Sequence, residues 1–375
     1  MARPIHEWIH EFIRGLDPYV PGKPIEEVER ELKIRAVKLA SNENPLGPSP
    51  MGVAAAQRAL AHAHRYPDGG GYYLREKLAA RHGVRMDEVL LGFGSSDLID
   101  LTARSMLRAG AEGMTSLGAF PLFHIFIRAT GAELVAVRMK DYTFDLEAMA
   151  CAITPRTRYI VLANPNNPTG TMFTADEFEK FLDRVPEGVL VVLDEAYSDY
   201  VQRSDYSRSI EQVKQGRSLV VLRTFSKVYG LAGMRMGYAI GPARLLGGID
   251  KLRLPFNTSG VAQAAALAAL DDYEHVRRSI ESNRAGLEQL AGGLAALGVR
   301  HVPSFGNFVL VEFDSDAQVI ADGLLRLGVI VRPMRWMGFP KAIRVTVGTR
   351  QENEKFLGAL AELRAVAGPT SARVK

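Results

Sequence analysis

The sequence predicts an α/β fold, with a large, doubly wound and mostly parallel sheet domain and a smaller α+β domain. Three observations carry that expectation. From residue 89 to about residue 253, short apolar runs alternate with helical patterns, the signature of successive βαβ units. Those runs are continuous rather than alternating, as strands covered on both faces are. Beyond residue 253 the order changes to two alanine-rich helical patterns, then strands mixed with helices, which marks a second unit.

The predicted strands of the first unit cover residues 89–92, 132–137, 159–163, 189–193, 219–222 and 237–240. The alanine-rich helices are read at 261–270 and 276–297, and the later strands at 307–313, 329–332 and 342–347. A Pro/Gly-rich stretch, 42–52, separates an N-terminal arm from the first long helical pattern. Residues 46–255 are accordingly assigned to the large domain, and residues 1–45 with 256–375 to the arm and the smaller domain. Nothing in the sequence says which domain the arm packs against.

Bulk composition narrows the function. The chain has 375 residues, 47% hydrophobic and 23% charged, which suits one large and one smaller globular domain. A net charge of +4, from 46 basic and 42 acidic residues, argues against a nucleic-acid surface. The one cysteine, Cys151, excludes an internal disulfide framework and fits a reducing compartment. Residues 1–14 are amphipathic, unlike a secretory leader, and no run approaches the roughly 18 apolar residues of a membrane span. A cytoplasmic enzyme is expected.

The chemistry gathers at strand exits, where ligands bind in open parallel sheets. Lys227 follows the run 219–222, after Arg223-Thr-Phe-Ser. A desolvated lysine there suits a Schiff base, which needs an amine of lowered pKa. The run 159–163 leads into Asn164-Pro-Asn-Asn-Pro-Thr-Gly, and the run 189–193 into Asp194-Glu-Ala-Tyr. Gly92-Phe-Gly-Ser-Ser-Asp follows the run 89–91 and opens a helical pattern, which suits a phosphate on free backbone N–H groups.

Taken singly, each piece has a plain explanation. An isolated lysine at a strand end is normally exposed, the Asn/Pro segment could be a turn, and Ser96 or Asp97 could simply cap the helix. Asp194 is harder to dismiss, because a buried carboxylate demands a cationic partner. One cofactor satisfies all four sites: pyridoxal 5′-phosphate. Lys227 suits its aldehyde, and Asp194 suits the protonated ring nitrogen. Asn167 and Tyr197 suit the phenolate oxygen. Ser95, Ser96, Thr224 or Ser226, and Arg235 suit the phosphate.

Further motifs extend this pattern: Ser41-Asn-Glu-Asn-Pro, Arg65-Tyr-Pro-Asp, Gly230-Leu-Ala-Gly-Met-Arg and Arg344-Val-Thr-Val-Gly. With them, the chain resembles the fold-type I pyridoxal-phosphate-dependent aminotransferases, and within these the histidinol-phosphate aminotransferases. The resemblance runs from about Leu39 to Gly348. It implies the roles above for Lys227, Asp194, Asn167, Tyr197, Ser95, Ser96, Ser226 and Arg235. It also implies that Phe120 stacks on the cofactor ring and that Arg344 grips the anionic group of donor and oxo-acid. Arg332 matches a second arginine, for the substrate phosphate, while Tyr19 and Asn42 fall in the segment that covers the site. Tyr66 matches a tyrosine lent to the neighbouring subunit, which implies a homodimer.

The implied reaction is amino-group transfer between L-histidinol phosphate and 2-oxoglutarate, in histidine biosynthesis. Aminotransfer from phenylalanine or tyrosine is the nearest alternative. Decarboxylation of a phosphorylated amino acid and non-catalytic sensing are further ones. Two departures bear on substrate: Phe120 and Phe123 stand where relatives often carry tyrosine. Gly69-Gly70-Gly71 reads as a turn and no more.

Overall fold

The computed structural model describes residues 5–19 and 22–367; the first four residues of the amphipathic N-terminal segment lie outside them. Its strands are β1 (Val37–Lys38), β2 (Val89–Gly92), β3 (Glu112–Ser116), β4 (Glu133–Val137), β5 (Thr157–Ala163), β6 (Leu190–Asp194) and β7 (Leu219–Thr224). There follow β8 (Gly237–Ile240), β9 (Arg300–Val302), β10 (Phe308–Glu312), β11 (Val329–Ile330), β12 (Arg332–Met334) and β13 (Phe339–Thr346). The large sheet has the order β2-β8-β7-β6-β5-β3-β4. Pairing is parallel from β4 through to β7, and β8 alone runs the other way, antiparallel to both neighbours. The expected mostly parallel α/β sheet is present.

The central strands explain their own composition. All five residues of β6 are buried, as are the first four of β7, because helices cover both faces. Each such Val or Leu contributes roughly 1.5–3 kcal/mol by leaving water. The sequence reading lacks the short strands β1 and β9 and, within the large sheet, β3, which sits between β5 and β4. Its sequence, Glu-Gly-Met-Thr-Ser, carries no apolar run, yet every residue is buried. Glu112 is tolerated there because Arg156 pairs with it at 2.5 Å and the Thr154 and Thr157 hydroxyls donate to it at 2.6 and 3.1 Å.

A second sheet, β12-β13-β10-β9, is antiparallel throughout. With the helices Ala317–Arg326 and Arg350–Ala367 it encloses a separate apolar cluster that includes Leu310's neighbours Val309 and Val311. The predicted strand 329–332 is in fact broken at Val331 into β11 and β12. The helix Gly260–Ala269, read with the C-terminal part, places Ala262, Ala265, Ala266 and Ala269 in the larger core. The arm packs beside the second sheet: β1 pairs parallel with β11 in a separate two-stranded sheet, and the Thr346 N–H of β13 donates to the Leu39 carbonyl at 2.8 Å. The chain then turns toward the large sheet, with Asn42 in the left-handed region (φ 54°). This bend carries residues 40–43 over the exits of the large sheet.

The glycine triplet is a turn, with a reason. Asp68 accepts hydrogen bonds from the Gly70 and Tyr72 N–H groups at 2.8 and 2.7 Å and so starts the helix Tyr72–His82. Gly71 has φ 60°, and a side chain there would collide with Leu91.

Candidate active site

The three exits singled out in the sequence lie side by side. Ala163 of β5 is level with Asp194 of β6, and Asp194 is level with Leu222 of β7. A cavity of about 340 Å³ opens there. From the large domain, Ser95, Ser96, Phe120, Asn167, Asp194 and Tyr197 line it, as do Thr224, Ser226, Lys227 and Arg235. Tyr19, Asn42, Arg332 and Arg344 close it from the arm and the second sheet. Tyr66 is not among them: it is 84% exposed and stacks on Phe256, centroids 4.7 Å apart.

Asp194 is buried at the end of β6, where its Oδ1 accepts the Ala196 N–H at 3.0 Å. No cation forms an ion pair with it among the described residues. Burial therefore pushes its carboxyl from an ordinary 3.8 up to about 7. Lys227 moves in the opposite sense. Loss of water, and then the Arg344 guanidinium, hold its amine down at about 8. Its Nζ donates weakly to the carbonyls of Asn42 (3.3 Å) and Ser41 (3.5 Å) and lies 5.5 Å from the Tyr197 ring centre. These are an acid and an amine whose charge is unsatisfied without a ligand.

The Asn/Pro loop separates structural from exposed amides. Asn164 exchanges hydrogen bonds with the Phe173 backbone, and Asn166 donates to Gly118 and Thr169. Both Asn-Pro bonds, 164–165 and 167–168, are cis. Asn167 instead accepts from Arg344 Nη1 through its Oδ1, at 2.6 Å. That bond assigns the amide orientation and leaves its NH₂ group for the cavity. The Tyr197 hydroxyl accepts from Asn42 Nδ2 at 2.9 Å, so its own proton remains to be donated. Two donors thus face one side of the cavity.

At the opposite end, Ser95 and Ser96 begin the helix Ser95–Met106, and the N-cap, Gly94, supplies no side chain. Neither Ser96 nor Asp97 caps the helix: Asp97 instead accepts the N–H of Phe93, before the helix, at 2.9 Å. Gly94 has φ 78°, and a Cβ there would stand 2.5 Å from Arg235 Nη2. Glycine therefore lets the guanidinium settle on the helix end. Arg235 donates to the Ala232 carbonyl, lies over Phe93, and forms no ion pair among the described residues. Thr224 donates to Ser226 at 3.0 Å beside it. A helix N-terminus, an arginine and four hydroxyls make an anion site.

The two arginines of the second sheet meet in a way the sequence did not disclose. Arg332 of β12 lies directly opposite Arg344 of β13 in antiparallel register, so both side chains share one face. Both are buried, and burial, with Arg332 itself a further cause, lowers the pKa of Arg344. Like charges directly opposite each other are destabilising unless an anion joins them. Arg332 also lies over two aromatic rings, Trp336 at 4.8 Å and Tyr19 at 5.6 Å. Tyr19 meets Phe120 edge-on at 6.3 Å, whereas Phe123 is fully buried behind Phe120 and does not line the cavity.

This donor set fits pyridoxal 5′-phosphate group by group: an acid for the ring nitrogen, an amine for the aldehyde, two donors for the phenolate and an anion cup. A family model for aminotransferase class I and II matches residues 34–360. The chain belongs to the class I and II aminotransferases. Histidinol-phosphate aminotransferase 1 of Nitrosococcus oceani is 47% identical over 349 residues, covering 93% of this chain and 94% of the relative. Histidinol-phosphate aminotransferase 1 of Thiobacillus denitrificans is 48% identical, covering 95% and 93%. The structure of histidinol-phosphate aminotransferase from Sinorhizobium meliloti, solved in complex with pyridoxal-5′-phosphate, superposes with a TM-score of 0.87 at 29% identity, covering 97% and 98%.

Two residues near this aminotransferase site escaped the sequence reading. Glu43 lines the cavity, pairs with Lys38 at 2.9 Å and favours the charged form of Lys227. Its position in Ser41-Asn-Glu-Asn-Pro was the available signal. Trp336 lies in the turn Arg335–Met337 after β12, and only its place four residues beyond Arg332 hinted at a contact.

Proposed function

We propose that the protein is a histidinol-phosphate aminotransferase, moving an amino group between L-histidinol phosphate and 2-oxoglutarate with pyridoxal 5′-phosphate as its cofactor. The observation that carries the substrate is the buried Arg332–Arg344 pair that lines the cavity. A phosphate monoester and a dicarboxylate are both dianions, and guanidinium forks accept either. The identity of 44–48% to histidinol-phosphate aminotransferases supports the same reading.

When bound, the cofactor supplies the carbonyl that takes up the amino group and a cationic ring that stores the electrons leaving the substrate carbon. Asp194 holds the proton on the ring nitrogen. Lys227, poised near pH 8, is the amine that holds the cofactor and the base that takes the proton from the substrate's amine-bearing carbon. Asn167 and Tyr197 donate to the phenolate oxygen. Ser95, Ser96, Thr224, Ser226 and Arg235 hold the phosphate, and Phe120 packs on the ring. Asn42 and Tyr19 shut out water from the arm's side. Aromatic amino acids are the second reading, favoured by the wall that Tyr19 and Phe120 form.

We also propose a cytoplasmic homodimer. Tyr66, Phe256 and Leu254 are exposed together on the large domain's surface, the last 74% exposed, and a partner would cover them while receiving Tyr66 near its phosphate cup. No helix among the described residues is long and apolar enough to cross a membrane.

Arg332→Ala tests the substrate. The KM for histidinol phosphate is expected to rise about tenfold to a hundredfold, the worth of lost charge-assisted hydrogen bonds. The KM for phenylalanine should move by less than about threefold, since Arg344 suffices for one carboxylate. Equal effects on both donors in steady-state assays would contradict a phosphate anchor at Arg332.

A further inference from the structure

We propose that Thr346 decides which way the Tyr197 hydroxyl proton points, as a positioning residue that acts through Asn42. The inference rests on the reading that Tyr197 donates to the cofactor's phenolate oxygen. Thr346 belongs to the motif Arg344-Val-Thr-Val-Gly and is buried on β13 of the second sheet, while Tyr197 follows β6 in the large domain. Between them stands Asn42 of the arm, itself buried.

The three side chains are joined by hydrogen bonds. Thr346 Oγ1 accepts the Asn42 backbone N–H at 2.9 Å and donates its own proton to Asn42 Oδ1 at 3.2 Å. The other end of that amide, Nδ2, donates to the Tyr197 hydroxyl at 2.9 Å. Asn42 is held further through its carbonyl, which accepts from Asn307 Nδ2 at 3.0 Å. Phe308 lies directly opposite Thr346 in antiparallel register, so the two side chains share a face. The Phe308 ring meets the Tyr197 ring edge-on, with centroids 5.1 Å apart. One cross-strand pair of the second sheet thus holds both the ring of Tyr197 and, through Asn42, its hydroxyl.

The supply of protons fixes the direction of these bonds. A tyrosine hydroxyl has one proton, which goes either to Asn42 or to the cavity. Were the Asn42 amide turned over, its Oδ1 would face Tyr197 and take that proton. Its NH₂ group would then face Thr346, and the buried threonine proton would lose the acceptor that the structure gives it. A buried donor without an acceptor is costly, so Thr346 favours the observed orientation. Asn42 then donates, Tyr197 accepts, and the tyrosine proton is left for the phenolate. Without the threonine hydroxyl both amide orientations are open.

The test compares Thr346→Val, which removes the hydroxyl, with Thr346→Ser, which keeps it, and with Tyr197→Phe. The readout is the pH midpoint of the holoenzyme's visible band, which needs no substrate. Asn167 and Tyr197 hold the phenolate's charge once the proton of the Lys227 linkage has left, so a weaker Tyr197 donor makes that proton harder to lose. Thr346→Val is expected to raise the midpoint by about half a pH unit to one unit, the worth of a hydrogen bond. Thr346→Ser should stay within about 0.2 pH units of wild type, since its hydroxyl offers the same donor and acceptors. The other titratable groups that bear on Lys227 and Tyr197, namely Arg344, Glu43, Tyr19 and Asp194, are kept in every variant. Adding Thr346→Val to Tyr197→Phe should move the midpoint no further.

An unmoved midpoint in Thr346→Val beside a shifted one in Tyr197→Phe would overturn the proposal alone. So would an equal shift in Thr346→Ser, or shifts that add in the double variant. If Tyr197→Phe leaves the midpoint in place, the reading of Tyr197 as a phenolate donor falls, and the proposal with it. Should Thr346→Val fail to fold, Thr346→Ala takes its place in the comparison.

Discussion

Lys227→Ala is expected to reduce turnover at least about a thousandfold with every amino donor, because it removes the residue proposed as both covalent anchor and proton-transferring base. The visible absorbance of the covalently held cofactor should vanish with it. The fold should survive: among the described residues, the lysine's side chain makes only two long hydrogen bonds, to the carbonyls of Ser41 and Asn42. Lys227→Arg should not rescue activity, since a guanidinium stays protonated at any working pH. Steady-state assays with an absorbance spectrum check this. Persistence of both turnover and the cofactor band in Lys227→Ala would remove Lys227 from the chemistry.

Asp194→Asn should be the next most damaging change, costing about a hundredfold or more in kcat, because a neutral amide cannot keep the ring nitrogen charged. Its effect on stability separates this role from a merely structural one. Burial raises the Asp194 carboxyl from 3.8 to about 7 in the cofactor-free protein. The native state then binds more protons than the unfolded chain between those values. Its contribution to stability is complete below about pH 3.8 and is lost as the pH rises through about 7. Cofactor-free wild-type protein should therefore lose Tm across that window more steeply than cofactor-free Asp194→Asn. Loading the cofactor, whose cationic ring nitrogen pairs with the carboxylate, should abolish the difference in slope. Thermal denaturation from pH 4.5 to 8 with and without cofactor decides it: equal slopes without cofactor would mean the carboxyl is not raised, and a slope difference that persists with cofactor would mean Asp194 does not face the ring.

Residues whose meaning depends on local sequence were readable in advance. Continuous runs such as 189–193 and 219–222 announce strands buried on both faces, and the polar residues after them fall at strand exits. Asp194 and Lys227 stand out because a carboxylate and an amine beside such runs are costly unless used. Strand β3 was invisible because its burial depends on partners elsewhere in the chain: Arg156, Thr154 and Thr157 satisfy Glu112. The pairing of Arg332 with Arg344 was also hidden. Register is a tertiary property, and a slip of one residue would have put the two guanidinium groups on opposite faces. The contact of Trp336 with Arg332 depends in turn on that register and on the turn that follows β12. Tyr66 shows the same limit from the other side: it is 84% exposed, and the role proposed for it would need a second chain.

The most direct test of the central claim mixes purified holoenzyme with histidinol phosphate, and separately with phenylalanine, and follows the cofactor's visible absorbance. Rapid loss of the band with histidinol phosphate, and slow or no loss with phenylalanine at the same concentration, is the predicted result. Rapid loss with phenylalanine and none with histidinol phosphate would contradict the account and make the protein an aromatic amino-acid aminotransferase.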